Sequence, residues 1–176
     1  MNFRYDIQVK TAIRAMQEVV IPAVDSVNRM AVEQAGLVLA MLQLLERTLP
    51  LVHRYDCAEL EGNLALVAEL RAAGERVPSL VQNSARMAAV AAAASATLDR
   101  PRTDPQELAQ ACRDIRSAIA DFVTLAYREA PARERQIIAR LTLASTRKQL
   151  LRERAWVISQ GWESEPEKLQ PIELSI

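Results

Sequence analysis

The chain has 176 residues, of which 50% are hydrophobic and only 4% aromatic, and its 22 basic residues balance its 22 acidic ones. This length suits a single domain, and only four glycines leave little material for phosphate-binding loops or tight hairpins. A single histidine excludes a di-iron bundle, which needs two Glu-x-x-His motifs. The net charge of zero gives no global attraction to nucleic acid or to anionic lipid.

The first helical pattern is the longest, and it extends from about residue 4 to residue 49. Its apolar seam advances in alternating steps of four and three residues, through Met16, Val20, Ala23, Val27, Met30, Gln34, Leu37, Met41 and Leu44. Pro22 lies inside this pattern and predicts a kink or a short break, without much change of direction because the phase is kept. An unbroken helix would be about 65–70 Å long, whereas a compact domain of this size is about 40 Å across. The chain therefore bends, is elongated, or is covered by a second copy.

Four shorter helical patterns follow, and prolines and capping residues set their boundaries. They begin near Asp56, Pro78, Pro105 and Pro131. We expect the second pattern to end at Gly74 and the last to end at Gly161. The pattern after Pro78 is rich in alanine, and an alanine face lets neighbouring backbones approach closely.

Short connections between helices favour antiparallel neighbours. The sequence therefore predicts an all-α fold, an antiparallel helical bundle of about five helices whose first helix is long and kinked or broken near Pro22. We expect one domain over residues 1–162 and an extended tail over residues 163–176. The most apolar stretch, residues 87–98, is too short to span a membrane, which takes roughly 20 residues. With no signal peptide in the sequence, we expect a cytoplasmic location with free thiols at Cys57 and Cys112.

One group of residues has the spacing of metal ligands. His53, Cys57 and Glu61 are four residues apart, so one helix carrying all three would place them on one face. A stable zinc site takes three or four protein ligands, and Pro50 together with an Asp56 cap places His53 before the helix. We therefore expect no metal and no cofactor, with these three residues as the only candidate ligands.

The fifth helical pattern is locally basic. Arg133, Arg140 and Arg147 recur at seven-residue spacing, and such a row can bind phosphates or another anion. Charges at this spacing beside an apolar seam are also typical of coiled-coil flanks, so pairing within or between subunits explains them without a ligand. The polar helix faces mix Arg and Glu, which argues against a lipid surface.

These patterns favour a non-catalytic helical-bundle protein that acts through protein–protein contacts, as an accessory or scaffold unit, and self-associates as a homodimer. The predicted interface residues are Val27, Met30, Leu37, Met41 and Leu44. An alternative is a module or enzyme that binds a small apolar or anionic ligand between helices, since alanines can leave room for one. A third is nucleic-acid binding through the fifth helix, which the neutral total charge disfavours. No membrane span is expected.

Overall fold

The computed structural model describes residues 4–176, and within them the chain forms helices, helical turns and loops but no strand. The described residues contain six long helices and one short one, which are α1 Tyr5–Ala15, α2 Arg29–Thr48, α3 Val52–Gly74, α4 Val81–Leu98, α5 Pro105–Glu129, α6 Ala132–Trp156 and α7 Ile172–Ser175. The predicted all-α helical bundle is confirmed. The count differs from five because the first predicted helix is two helices.

The described chain divides into two compact units. The first contains the described residues up to Val52 together with Arg154–Glu173, and the second contains His53–Glu153 together with Leu174–Ile176. The single domain over residues 1–162 and the separate tail over residues 163–176 stay predictions.

A helical hairpin of α1 and α2 forms most of the first unit, and the two helices are in contact. After α1 the helix widens into a π-helical turn, Met16–Val20, and ends with the turn Ile21–Ala23 that holds Pro22. A π-turn before a proline relieves the clash between the proline ring and the preceding turn. The backbone becomes extended at Val24, and α2 then starts beyond a short loop. The predicted break near Pro22 is confirmed, but the chain reverses there instead of keeping its direction.

Two polar side chains make this reversal. The carboxylate of Asp25 accepts a hydrogen bond from the backbone N–H of Val27 at 3.0 Å. The side-chain oxygen of Asn28 accepts one from the N–H of Ala31 at 3.1 Å and caps α2. Such local bonds stabilise a turn and a helix start, so they outweigh the unbroken apolar periodicity.

The α-helix predicted to stop before Pro50 does so, since α2 ends at Thr48, but no loop follows it. A 3-10 turn, Leu49–Leu51, links α2 directly to α3, so Arg29–Gly74 is one helical run of 46 residues. The proline lies at the start of this turn, where its missing N–H is tolerated. Asp56 consequently lies inside α3 instead of capping it.

The second unit is built from α3, α4, α5 and α6. Its core is lined by apolar residues from all four helices, and the most deeply buried are Leu60, Val67, Leu70, Leu80, Met87, Leu108, Ile115, Phe122, Ala126 and Ile138. The helices α4 and α5 run antiparallel. This orientation is seen from two ion pairs, one between Arg86 and Asp121 at one end and one between Arg100 and Glu107 at the other. Asp104 before Pro105 predicts a helix N-cap from the sequence, and this is confirmed, because its carboxylate accepts a hydrogen bond from the N–H of Gln106 at 2.7 Å.

The spacing of the apolar residues in the last helical pattern predicts one inward seam through Ile137, Leu141, Ala144, Leu151, Ala155, Ile158 and Trp162. In the structure α6 turns a partly different face inward, although Ala155 of this seam is buried. Ile138 is buried, whereas Ile137 and Leu141 lie only at the margin of the core. Ala144 and Leu151, which continue the predicted seam, are exposed. This helix therefore leaves much of its apolar surface uncovered.

In the first unit, the segment after α6 is held by local contacts. The last long helix ends at Trp156, before the end predicted at Gly161. Gly161 has a φ of +72°, which glycine adopts readily, and it ends the 3-10 turn Ile158–Gln160. Beyond it, Arg154 donates two hydrogen bonds to the carboxylate of Glu163, at 2.7 and 2.8 Å. These bonds lower the pKa of Glu163 to about 2. Ile172 is buried, so the segment 163–173 contributes to the packing of this unit.

Candidate functional site

The first unit has an exposed apolar row on α2 and just before it, which we call the α2 stripe. It consists of the predicted interface residues Val27, Met30, Leu37, Met41 and Leu44. The first four are 85%, 67%, 50% and 53% exposed, and Leu44 is half-buried. Their spacing of three and four residues places the members within α2 on one face. The structure therefore presents these side chains at the surface, where they are free to make contacts.

The hairpin has little apolar core of its own. Among the described residues of α1 and α2, the only buried apolar side chains are Ile13 and Ala35. The buried Thr48 donates to the carbonyl of Leu44 at 2.8 Å and adds no apolar contact. Helices in proteins depend on the packing of an apolar face, so this hairpin lacks the burial that usually stabilises one.

One helical run of the described chain is long and apolar enough to cross a membrane by length and composition, the run Arg29–Gly74. Its best 18-residue window has a mean hydropathy of 1.5, and only 6% of that window is buried. Helices of soluble proteins meet the same criteria, and this run carries Glu46 and Arg47, which are costly in hydrocarbon. The absence of a membrane span therefore stays a prediction.

The candidate metal ligands lie on α3. His53 is inside the helix, not before it as expected, and its Nε2 is 3.7 Å from Sγ of Cys57. Burial, with smaller contributions from Glu61 and Asp56, raises the pKa of Cys57, which disfavours the thiolate that a metal needs. Across residues 4–176, no three His, Cys, Asp or Glu side chains are grouped so that they could hold a metal ion.

A cleft of about 510 Å³ lies between α4 and α5 in the second unit. Its floor is made of small residues, Ala93, Ala94, Ala111 and Ala118, together with Val90. The alanine face of α4 therefore allows both the close approach of α5 and an open cleft. The two ion pairs between these helices, at their opposite ends, contribute to its walls.

A second groove, of about 420 Å³, lies between α3, α5 and α6. Leu66, Ile119 and Val123 form its apolar part, and hydroxyl and amide side chains surround them. The buried Nδ2 of Asn63, which also lines this groove, has no hydrogen-bond partner. Sequence reasoning missed this groove, because it arises where α6 packs with polar residues instead of its apolar seam.

The predicted anion-binding arginines are all on the surface of the second unit. Arg133, Arg140 and Arg147 are exposed on α6. Among the contacts of residues 4–176, none of these three guanidinium groups makes a hydrogen bond or an ion pair. The pairing within the chain that their spacing suggested is therefore not seen for them.

Comparison with known proteins does not extend these observations. No family model matches the chain, and neither a curated protein nor a solved structure matches it. The function is therefore inferred from the surfaces and clefts of the chain itself.

Proposed function

We propose that this protein is a non-catalytic, cytoplasmic helical scaffold or accessory unit that works through protein–protein contacts and self-associates through the α2 stripe. The observation that carries the proposal is the exposure of Val27, Met30, Leu37 and Met41 on a hairpin that buries almost no apolar side chain of its own. Covering this stripe with a second copy removes apolar surface from water, which is worth about 25 cal/mol per Å².

A second copy is the occupant that the stripe itself favours. Its residues recur at three- and four-residue steps, the spacing by which helices interdigitate in bundles and coiled coils. The same surface matches itself, as a two-fold dimer requires.

The proposal is tested by light scattering on the wild-type chain and on the Leu37→Glu/Met41→Glu variant. We expect a dimer for the wild type at micromolar concentration and a monomer for the variant, because the introduced carboxylates would be buried without partners at the interface. Both positions are half-exposed and neither belongs to the buried core, so a carboxylate at either position can reach water in the monomer.

The matched control is Val81→Glu, since Val81 is also 53% exposed but begins α4 in the second unit. This variant should remain a dimer. A wild-type chain that is only monomeric would contradict the proposal. A dimer that survives in the α2 variant and dissociates in the control would contradict it as well.

The alternative of a ligand-binding module is favoured by one observation, the cleft between α4 and α5. Its volume of about 510 Å³ falls in the range of small-molecule pockets. Asp114 lies on its wall and bonds there to the amide of Gln110 at 2.7 Å. Filling the cleft with Ala93→Leu would abolish ligand uptake under this alternative, and it would leave self-association through the α2 stripe unchanged.

A further inference from the structure

The outward face of α6 combines cations with leucines. In chain order the face consists of Arg133, Arg140, Leu143, Arg147 and Leu150, at steps of seven, three, four and three residues. Such steps place all five side chains on one side of the helix. All five are exposed, and the two leucines are 67% and 50% exposed. This face is therefore basic and apolar at the same time.

No acidic side chain interrupts this face. The helix α6 carries only two acids, Glu134 and Glu153. Glu134 is half-buried, and Glu153 accepts a hydrogen bond from Gln149 and adds to the effect of burial in raising the pKa of Tyr55 on α3. Glu153 is exposed three residues beyond Leu150, so an acid adjoins the end of this face. Between residues 133 and 150 the charged residues of the face are all arginines, unlike the mixture of Arg and Glu expected of the polar faces.

We propose that this face, the α6 basic face, docks on an anionic lipid bilayer. Its five residues span 133–150 on a single helix of 25 residues, which can lie along a flat surface. The leucines enter the boundary between headgroups and acyl chains, and the arginines reach the lipid phosphates with their stems along the apolar layer. Because all charged residues of the face between 133 and 150 are arginines, it complements the negative surface potential of such a bilayer.

The leucines favour a bilayer over a nucleic acid. A phosphate backbone is bound by the cations alone, and two exposed leucines, one within the row and one just beyond Arg147, add nothing to that contact. Their transfer into a bilayer interface removes their apolar surface from water. Three cations and two leucines give reversible attachment, in which each cation removed weakens the partition coefficient about fivefold.

The test is co-sedimentation with vesicles of phosphatidylcholine, with and without phosphatidylserine. The full chain is used in the Leu37→Glu/Met41→Glu background, so that adhesion through the α2 stripe is removed. We expect binding only with phosphatidylserine, and weaker binding as salt is added. Arg140→Gln/Arg147→Gln should weaken this binding about 25-fold, and Leu143→Ser/Leu150→Ser should weaken it at unchanged charge.

The matched control is Arg76→Gln/Arg102→Gln, which removes the same charge at two exposed positions outside α6. It should bind like its parent. Three results would overturn the proposal. They are binding that does not depend on phosphatidylserine, equal binding of the arginine and control variants, and unchanged binding of the leucine variant. Arginine-dependent binding to duplex DNA without binding to vesicles would overturn it as well. These outcomes are independent of whether the wild-type chain dimerises.

Discussion

At the scale of single residues, Gly74 shows how the second unit depends on close contact. A Cβ atom at this position would lie 2.6 Å from Oγ of Ser84 and 2.7 Å from Cζ of Phe122. Gly62, in the same helix, has no such neighbour within 4 Å. The sequence predicts that α3 ends at Gly74, which is confirmed, but the structural need for glycine is the approach of a phenylalanine from α5.

The two glycines provide a matched pair of substitutions. Gly74→Ala should lower the free energy of unfolding by about 1–3 kcal/mol, because the added methyl group overpacks the core. Gly62→Ala should raise it by about 0.5–1 kcal/mol, since alanine is the better helix former and the space is open. Urea unfolding followed by circular dichroism measures both. Equal effects of the same sign would show that the close contact at Gly74 is absent.

The two cysteines differ in their environments. Burial, with smaller contributions from Glu59 and Asp56, raises the pKa of Cys112 to about 11. Its thiol contacts the carbonyl of Asp56 at 3.7 Å and is almost inaccessible, whereas Cys57 is half-buried. The thiolate is the reactive form. Because its pKa is two units above the ordinary value, Cys112 has at neutral pH about a hundredth of the thiolate that an ordinary cysteine has.

We therefore expect iodoacetamide to alkylate Cys57 well before Cys112 in the folded protein, and the reaction of Cys112 to accelerate as the pH rises towards its pKa. Peptide mass mapping after timed quenching reports both rates. In urea the two thiols should react alike, which serves as the control. A Cys112 that reacts as fast as Cys57 without denaturant would contradict its burial on α5.

At the scale of helices, periodicity predicted the fold class but not every boundary. The seam of the first pattern keeps its phase across residues 24–28, so it concealed a reversal that Asp25 and Asn28 produce through bonds to their own backbone neighbourhood. Conversely, Pro50 marks the end of α2 but not of the helical run, because a 3-10 turn carries the chain directly into α3. A count of apolar positions reveals neither effect.

The helix α6 shows a second limit of the same reasoning. Its seam predicts an inward face that includes Ala144 and Leu151, yet both are exposed and Ile138 is the residue buried in the second unit. Which face a helix turns inward depends on the shape of its neighbours, which a single pattern cannot provide. For α2, the interface residues chosen from the sequence stay a prediction, and the structure leaves four of the five exposed.

At the scale of the whole molecule, apolar burial is uneven between the two units. The main core cluster lies entirely within the second unit. The first unit contains the hairpin that buries only Ile13 and Ala35 and exposes the α2 stripe. With apolar burial distributed in this way, the first unit gains stability when another surface covers the α2 stripe. If that surface belongs to a second copy, the gain increases with protein concentration by mass action.

Hydrogen exchange at low and high protein concentration tests this central claim most directly. If two copies meet through the α2 stripe, the amides of α2 should exchange more slowly as the concentration rises, because local opening then requires dissociation. The amides of α5, in the second unit, should exchange at the same rate throughout. Exchange in α2 that is independent of concentration, or slowing that appears in α5 instead, would contradict the account.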